Sequence, residues 1–567
     1  MQETTIETQG ELSWKDKREN PGVKNCKTCW THFEINEEEK ELQSKFQEWE
    51  IETCPECKRK ELLAFWPSIW KWYKRKCDFS GEMIVTNYPT DARFPVYKYK
   101  YFHSDKWDTP SMDIDFDKNL FQQLQNLQEK TPRPHMLGLN NENCDYCDDA
   151  WNSKNCYLSL SMLECELIFY SYRNISCSHS SDIVFCDKCE NCHDLTLSSN
   201  CYKVFYSVDV KDSADSMFLY NCRDVKNCFM CWNLRNKKYC ILNKQYTKDE
   251  YEAKLQEYNL WSRKQIKELK KEFNKYLKKQ SYFTEDSNIS CENVSWNFLS
   301  NCKNCENCFL LEESEDCKHI LRWHKNTNCL YATGLLEWKN CYMVCQSGYV
   351  YNLKYSSYCQ HCENSEYLDN CENCKNCFAC VWLKNKEYCI LNKQYTKEEY
   401  TTLVTQIKEK MVKDNELWKM IPYSMTYSGY NTTLARIYFP DTEENIKKLG
   451  WYWETEEDIT NTTSSYKLAD DIKDIADDIQ NKAIICQKTW KAFNFTKQMV
   501  DLHKENNIPL PDVSHIERMI ENYKILWYIK VQKSKCSESG KDITHYYPTE
   551  LGYENIVSKE IYNKKVY

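Results

Sequence analysis

The apolar positions of this chain fall in short bursts. Leu167-Ile168-Phe169-Tyr170-Ser171-Tyr172 and Tyr202-Lys203-Val204-Phe205-Tyr206-Ser207-Val208 alternate and are rich in β-branched and aromatic residues, as strands are. Thr247-Lys248-Asp249-Glu250 and Thr396-Lys397-Glu398-Glu399 precede amphipathic stretches. Each is a capping box, with threonine as N-cap and glutamate three residues on, and each predicts a helix start. Around the strand-like bursts the pattern is broken by Asn-Cys pairs, gathered in two arrays near residues 144–240 and 291–389.

The arrays end alike. Asn227 to Tyr251 reads NCFMCWNLRNKKYCILNKQYTKDEY and Asn376 to Tyr400 reads NCFACVWLKNKEYCILNKQYTKEEY, a duplication at an offset of 149 residues. Within each array cysteines recur about 21 residues apart, as in Cys156 to Cys177, Cys165 to Cys186, Cys201 to Cys222, Cys308 to Cys329 and Cys341 to Cys362. Repetition at a fixed period predicts stacked units that bury an inner face only together. The fold class expected is therefore mainly β with helical segments: two parallel β-solenoid blocks of about 21 residues per coil. Each block is followed by a helix and the pair is flanked by zinc-ribbon-like modules. In this reading cysteine lines a narrow interior, and asparagine sits at bends where its amide tolerates left-handed backbone and bonds its counterpart in the next coil.

The 35 cysteines change the picture in a second way. Cys26-x-x-Cys29 is followed 25 residues later by Cys54-x-x-Cys57. Two such knuckles close a tetrahedral site for which zinc is the default ion, and four protein thiolates leave no position for water or substrate. The cofactor expected is zinc, held by Cys26, Cys29, Cys54 and Cys57. Shifted by 460 residues, Cys486, Thr489, Ser514 and Glu517 fall on these four, and Trp490 and Phe493 on Trp30 and Phe33. The far end thus reads as a second copy that has lost its ligands. Lys535-Cys536 likewise echoes Lys76-Cys77, where Cys77-x-x-Ser80-Gly81 is half a knuckle facing Tyr97, Tyr99 and Tyr101. Dense runs such as Cys186-x-x-Cys189-x-x-Cys192, Cys302-x-x-Cys305-x-x-Cys308 and Cys371 to Cys380 keep open a rival reading with several metal or iron–sulfur sites.

The boundaries that follow are a flexible tail at 1–24, zinc ribbon with degenerate second knuckle at 25–118, and linker at 119–140. Array A spans 141–243 and a capping and basic helix 244–282; array B spans 283–392 and its capping helix 393–420. A linker region at 421–482 leads to the degenerate ribbon-like module at 483–567.

Other chemistry is sparse. Hydrophobic content of 41% and aromatics of 14% exclude wholesale disorder, and 10 glycines include neither GxGxxG nor GxxxxGK[ST]. Asp113-x-Asp115-x-Asp117 lacks the glycine and glutamate of a calcium loop. His324 and His361 stand apart from any nucleophile. The N-terminus has no apolar h-region and the chain no run of 18 apolar residues, so an intracellular, reducing location is expected, with a virion as a possible destination. Net charge is −9, against a general nucleic-acid coat, yet residues 263–279 carry eight Lys/Arg against two Glu.

The ending NCFxCxxLxNKxYCIxNKQYTKEEY, the CxxC…CxxC start and the stretch YNTTLARIYFPDTEENIKKLGWYWE (430–454) together resemble uncharacterised cysteine-rich zinc-ribbon and Asn-Cys repeat proteins. Those are predicted from the genomes of candidate-phylum bacteria and giant viruses. The resemblance runs from about Cys26 to the end and implies an organisation without an assigned activity. The function expected is a non-enzymatic, zinc-containing scaffold that offers its array surfaces to protein partners. The alternatives are a nucleic-acid-binding ribbon protein using 263–279 and a multi-metal or redox protein using the array cysteines.

Overall fold

The computed structural model describes residues 23–35, 40, 52–65, 71–144, 146–324, 327, 333–336, 359–417, 419–455, 466–526 and 531–567. Nearly all of the expected tail, together with Cys329 and Cys341, lies outside them. The chain divides into two compact units, one from Met1–Trp66, Thr109–Thr131 and Asn288–Thr426, the other from Pro67–Asp108, Pro132–Ser287 and Tyr427–Tyr567.

The second unit holds the larger array, a sheet running from Gly138–Leu139 to Lys244–Gln245. Its strands pair parallel with partners twelve residues on: Gly138 with Ala150, Tyr172 with Val184, His193 with Phe205, Tyr202 with Ala214 and Arg223 with Arg235. One antiparallel pair, Cys240 with Gln245, ends the sheet. In the first unit, Glu292–Ser300, Lys303–Glu312, Leu321–His324 and Thr333–Leu336 stack in parallel. There the step is eleven residues before a bulge between Val294 and Trp296 and twelve after it. Lys375–Phe378 and Glu387–Ile390 repeat the step of twelve, and Lys393–Gln394 ends that sheet antiparallel.

The backbone behind this is unusual. From Asn140 to Leu242 every third residue has positive φ; Asn140, Asn143, Tyr146, Asp149, Asn152 and Asn155 lie between 51° and 56°. Four left-handed bends therefore fall in each twelve residues. Asparagine and aspartate tolerate this conformation better than other non-glycine residues. Their side chains also tie successive steps together. Asn140 Nδ2 donates to Asn152 Oδ1 at 3.1 Å, Asn143 to Asn155 at 3.1 Å, and Asn373 to Asn385 at 3.0 Å. One residue after each bend points inward. That position is most often cysteine, serine or an aliphatic, with Asn174 a buried exception, and the resulting interior includes Cys156, Met162, Cys165, Ile168, Cys177, Ile183, Cys186 and Cys189. Outward charges stack at the same step, with Lys375 on Glu363 at 3.2 Å and Lys384 on Glu372 at 2.8 Å.

The expected fold class is corrected by these findings. The chain is mixed α/β, 26% helical and 32% strand, and among the described residues it has small sheets and one mixed sheet and no closed solenoid. The spacing of 21 residues is not the structural period. Inward positions occur every third residue, so cysteines 21 apart sit one step plus three bends away from each other. Backbone pairing sets the register, and serine, alanine and aliphatics fill the inward positions between thiols.

The helices start where the capping boxes place them. Lys248–Leu255 is capped by Thr247 with Glu250, and Lys397–Lys413 by Thr396 with Glu399. The basic helix Arg263–Gln280 buries Ile266, Leu269, Phe273 and Leu277 at three- and four-residue spacing. They join a core with Phe205, Phe218 and Phe229 of the array. Among the described residues, no helix is long and apolar enough to cross a membrane.

The interior chemistry can be tested at Ser171. Its Oγ donates to Phe169 O at 2.8 Å and accepts from Ile183 N–H at 3.1 Å. Ser171→Ala leaves that buried N–H without its partner, at a cost of about 1–3 kcal/mol. Ser171→Cys restores an acceptor and is expected to lose less than half as much, as read from urea unfolding midpoints.

Candidate metal centre

The first knuckle is a tight hairpin. Val23–Asn25 pairs antiparallel with His32–Glu34, Cys26 N–H donates to Thr31 O and Trp30 N–H to Cys26 O, both at 2.9 Å. Trp30 makes this turn in a left-handed conformation, φ 62°, with 77% of its surface exposed. The second pair comes from a helix start. Cys54 is the N-cap of helix Pro55–Ala64, and Cys57 lies in its first turn with its N–H on Cys54 Sγ at 3.5 Å. Cys54 N–H in turn donates to Cys26 Sγ at 3.3 Å.

These contacts bring four sulfurs to one point. All lie within 4.8 Å of one another, and Cys29 Sγ and Cys54 Sγ are 3.7 Å apart. A tetrahedral ion with metal–sulfur bonds of about 2.3 Å needs sulfurs about 3.8 Å apart, so the cluster fits such an ion with small adjustments. Cys26, Cys54 and Cys57 are buried and Cys29 is exposed. The Cys57 thiol donates to Cys54, which holds the Cys54 thiol low and its own high, while burial pushes Cys29 up. A thiolate beside thiols, at a helix N-terminus, is a donor set that a divalent cation completes.

The same module occurs four times. At the offset of 460, Ile484–Ile485 pairs with Ala492–Phe493, Cys486 N–H donates to Lys491 O at 3.0 Å, Ser514 N–H to Cys486 Sγ at 3.3 Å, and helix His515–Leu526 follows Ser514. Trp490 repeats the left-handed turn at φ 60° and is 73% exposed. Two further copies centre on Cys77 and Cys536. Their hairpins are Tyr73–Lys76 with Met83–Thr86 and Gln532–Lys535 with Asp542–His545. Their turns carry Gly81 and Gly540 where the others carry tryptophan. The N-caps of their helices, Lys98 and Ser558, donate N–H to the sulfur at 3.2 and 3.5 Å.

In these three copies side chains replace the other thiols. The positions that answer to Cys26, Cys29, Cys54 and Cys57 are Cys77, Ser80, Lys98 and Tyr101 in one, Cys486, Thr489, Ser514 and Glu517 in the next, and Cys536, Ser539, Ser558 and Ile561 in the last. Lys98 Nζ and Tyr101 Oη both reach Glu82, at 2.6 and 2.5 Å, and with Lys100 they hold its carboxyl down to about 2. That clamp joins hairpin to helix as an ion would. Burial alone would raise the Cys486 and Cys536 thiols, but the Ser514 N–H with the Thr489 hydroxyl, and the Ser539 hydroxyl and N–H with the Ser558 N–H, hold each down to about 7.

No protein-family model matches the chain, and no curated protein matches it.

The array thiols behave differently from the first cluster. Most of the described array thiols donate to the carbonyl two residues before and many also to the carbonyl nine residues on, as Cys156 does to Lys154 O at 3.2 Å and Cys165 O at 3.8 Å. Among the described residues the Cys26 cluster alone gathers three or more ligand atoms at one point. The acidic triplet is engaged in ion pairs, Asp115 with Lys118 at 2.7 Å and Asp113 with Lys393. In the basic helix Arg263 and Lys267 meet Asp512, and Lys270 meets Asp194.

One buried polar cluster has no signal in the sequence, because its members lie more than 300 residues apart. Arg518 Nε donates to Asp182 Oδ1 at 2.9 Å, Ser181 Oγ lies 2.8 Å from His193 Nδ1, and His503 Nδ1 lies 3.1 Å from Pro509 O. Serine, histidine and aspartate meet here without forming a relay. Ser181 and Asp182 approach the same ring nitrogen of His193, at 2.8 and 3.6 Å, whereas a relay uses both nitrogens. The cluster instead seats helices Lys497–Glu505 and His515–Leu526 on the array.

Burial holds His503 down to about 3. The unfolded chain takes up that proton below about pH 6.5 and the folded chain does not, so stability falls as pH drops from about 6.5 towards 3. Between pH 7 and pH 5 this residue alone is expected to contribute a loss of about 2 kcal/mol. Asp182, raised to about 6 chiefly by burial, acts in the opposite sense, its stabilising effect fading as pH rises through 6. His503→Asn should flatten the acid limb of a stability–pH curve measured by denaturant unfolding, and an unchanged slope would remove the assignment.

Proposed function

We propose that this protein is a zinc-stabilised, non-enzymatic scaffold whose array faces bind other proteins. The observation that carries the reading is the closed cluster of four sulfurs at Cys26, Cys29, Cys54 and Cys57. Zinc suits four thiolates, and with no coordination position left over it would hold hairpin to helix and expose no reactive water. Without the ion the hairpin meets its helix through little more than Cys26, Cys54, Cys57 and Phe33, a small junction to hold alone.

The arrays support a binding role through their outer faces, where charges and amides recur at every step while the interior is taken up by hydrogen-bonded thiols and hydroxyls. Unlinked thiols support a reducing location. A nucleic-acid role for 263–279 has less support, since three of its basic residues already face aspartates.

Elemental analysis of anaerobically purified full-length chain tests the metal assignment. About one zinc per chain is expected, falling to near zero in Cys54→Ser. Iron, or several zincs, would overturn the scaffold in favour of a multi-metal protein.

A further inference from the structure

We propose that the first thiol of each array, Cys144 in one and Cys291 in the other, is a site of oxidation by hydroperoxides. Each would close a disulfide onto the stacked thiol of the next step, Cys156 and Cys302 respectively.

Three observations converge on these two residues. First, they are accessible. Of the described array cysteines, Cys144 and Cys291 alone are partly exposed and the rest are buried. Second, each lies against its partner. The parallel bridge between Glu142 and Lys154 sets Cys144 in register with Cys156, and Cys144 Sγ donates to Ser153 O at 3.3 Å. Cys302 N–H donates to Cys291 Sγ at 3.4 Å. Third, both thiols sit on a terminal step. Each starts its stack, on a step that has a neighbour on one side only, and each stands near an exposed aliphatic, Leu139 or Ile289.

Geometry selects the end of the stack over its middle. Stacked residues of neighbouring strands have Cα atoms about 4.8 Å apart, inside the disulfide range of about 4.4–6.8 Å, but a disulfide draws the Cβ atoms to about 3.8 Å. An interior step is held from both sides and resists that approach. The first step is held from one side and can close by the roughly 1 Å that the bond needs. The low-lying Cys144 thiol, which its two thiol neighbours hold well below the ordinary range, favours the same residue as the attacking group.

The chemistry balances with a hydroperoxide as oxidant. The Cys144 thiolate attacks one peroxide oxygen, the O–O bond breaks, and sulfenic acid forms with release of water. Cys156 sulfur then attacks the sulfenic sulfur, forming S–S and expelling the hydroxyl as a second water. Two thiol protons and two electrons leave the protein and hydrogen peroxide becomes two waters. The product staples the terminal step to the next one, at the place where a stack of nearest-neighbour units begins to open.

The test treats full-length, reduced, zinc-loaded chain with stoichiometric hydrogen peroxide, alkylates it under denaturing conditions and maps the peptides by mass spectrometry. Cys144–Cys156 and Cys291–Cys302 crosslinks are expected, with the interior thiols recovered alkylated. Zinc retention, measured in parallel, separates this chemistry from attack on the Cys26 cluster. In Cys156→Ser, a substitution that serines at other inward positions show to be tolerated, Cys144 sulfenic acid should persist and be trapped by dimedone. Crosslinks to Cys147, oxidation spread evenly over interior thiols, or an untouched Cys144 would each overturn the proposal.

Discussion

The arrays depend on one requirement: every third N–H faces inward and has to be paired. A left-handed residue at each bend turns the chain and points the following residue into the stack. The intervening amides bond the steps above and below, as Lys154 N–H does to Cys165 O and Asn155 N–H to Glu142 O, both at 2.8 Å. Many of the inward residues' own N–H groups are taken instead by a side chain of the step before. Ser153 Oγ takes the Cys165 N–H at 3.2 Å, Ser180 Oγ the Cys192 N–H at 2.9 Å, and Cys177 Sγ the Cys189 N–H at 3.4 Å. A small side chain that both donates and accepts meets this need, and a purely aliphatic lining would leave donors unpaired in a dry interior. Cysteine is abundant here because it is compact, buries well and still hydrogen-bonds, which explains the thiols without calling on a metal for each.

A different economy holds at the chain's ends. One hairpin-and-helix design is used four times, once closed by thiolates and three times by what the local sequence offers. The invariant element is the first cysteine, whose sulfur collects N–H donors from its own turn and from the following helix start. Around it the Glu82 clamp, the Cys486 pocket and the Cys536 pocket achieve the same junction with ordinary side chains. The four-thiol cluster is thus one of several fastenings, and the other three copies keep the same hairpin path without it.

The sequence exposed much of this and hid some. The four-cysteine cluster was legible because a CxxC spacing is a local constraint, readable without knowing the fold. The relation between the two ends was legible through Trp30 and Phe33 against Trp490 and Phe493, and the knuckles superpose hydrogen bond for hydrogen bond. At Cys77 the facing positions were read as Tyr97, Tyr99 and Tyr101. The structure uses Lys98 and Tyr101, since the helix start sets the spacing and the aromatics do not. The array period was misread because one letter was counted. Cys, Ser, Ala, Ile and Val share a single structural position, and a count of cysteines alone returns a multiple of three longer than the true step. The Asp182–His193–His503 cluster was invisible, as only folding brings those segments together.

Twelve-residue stepping makes array length quantised. Each added dozen residues inserts one rung, about 4.8 Å tall, and returns the chain to the same side facing the same way. The bulge at Val294 and Trp296 marks the one described place where a residue is missing from the count, and the chain absorbs it there without passing the error on. Within each array such a ruler allows whole rungs to be added or lost while the backbone pairing on either side keeps its register.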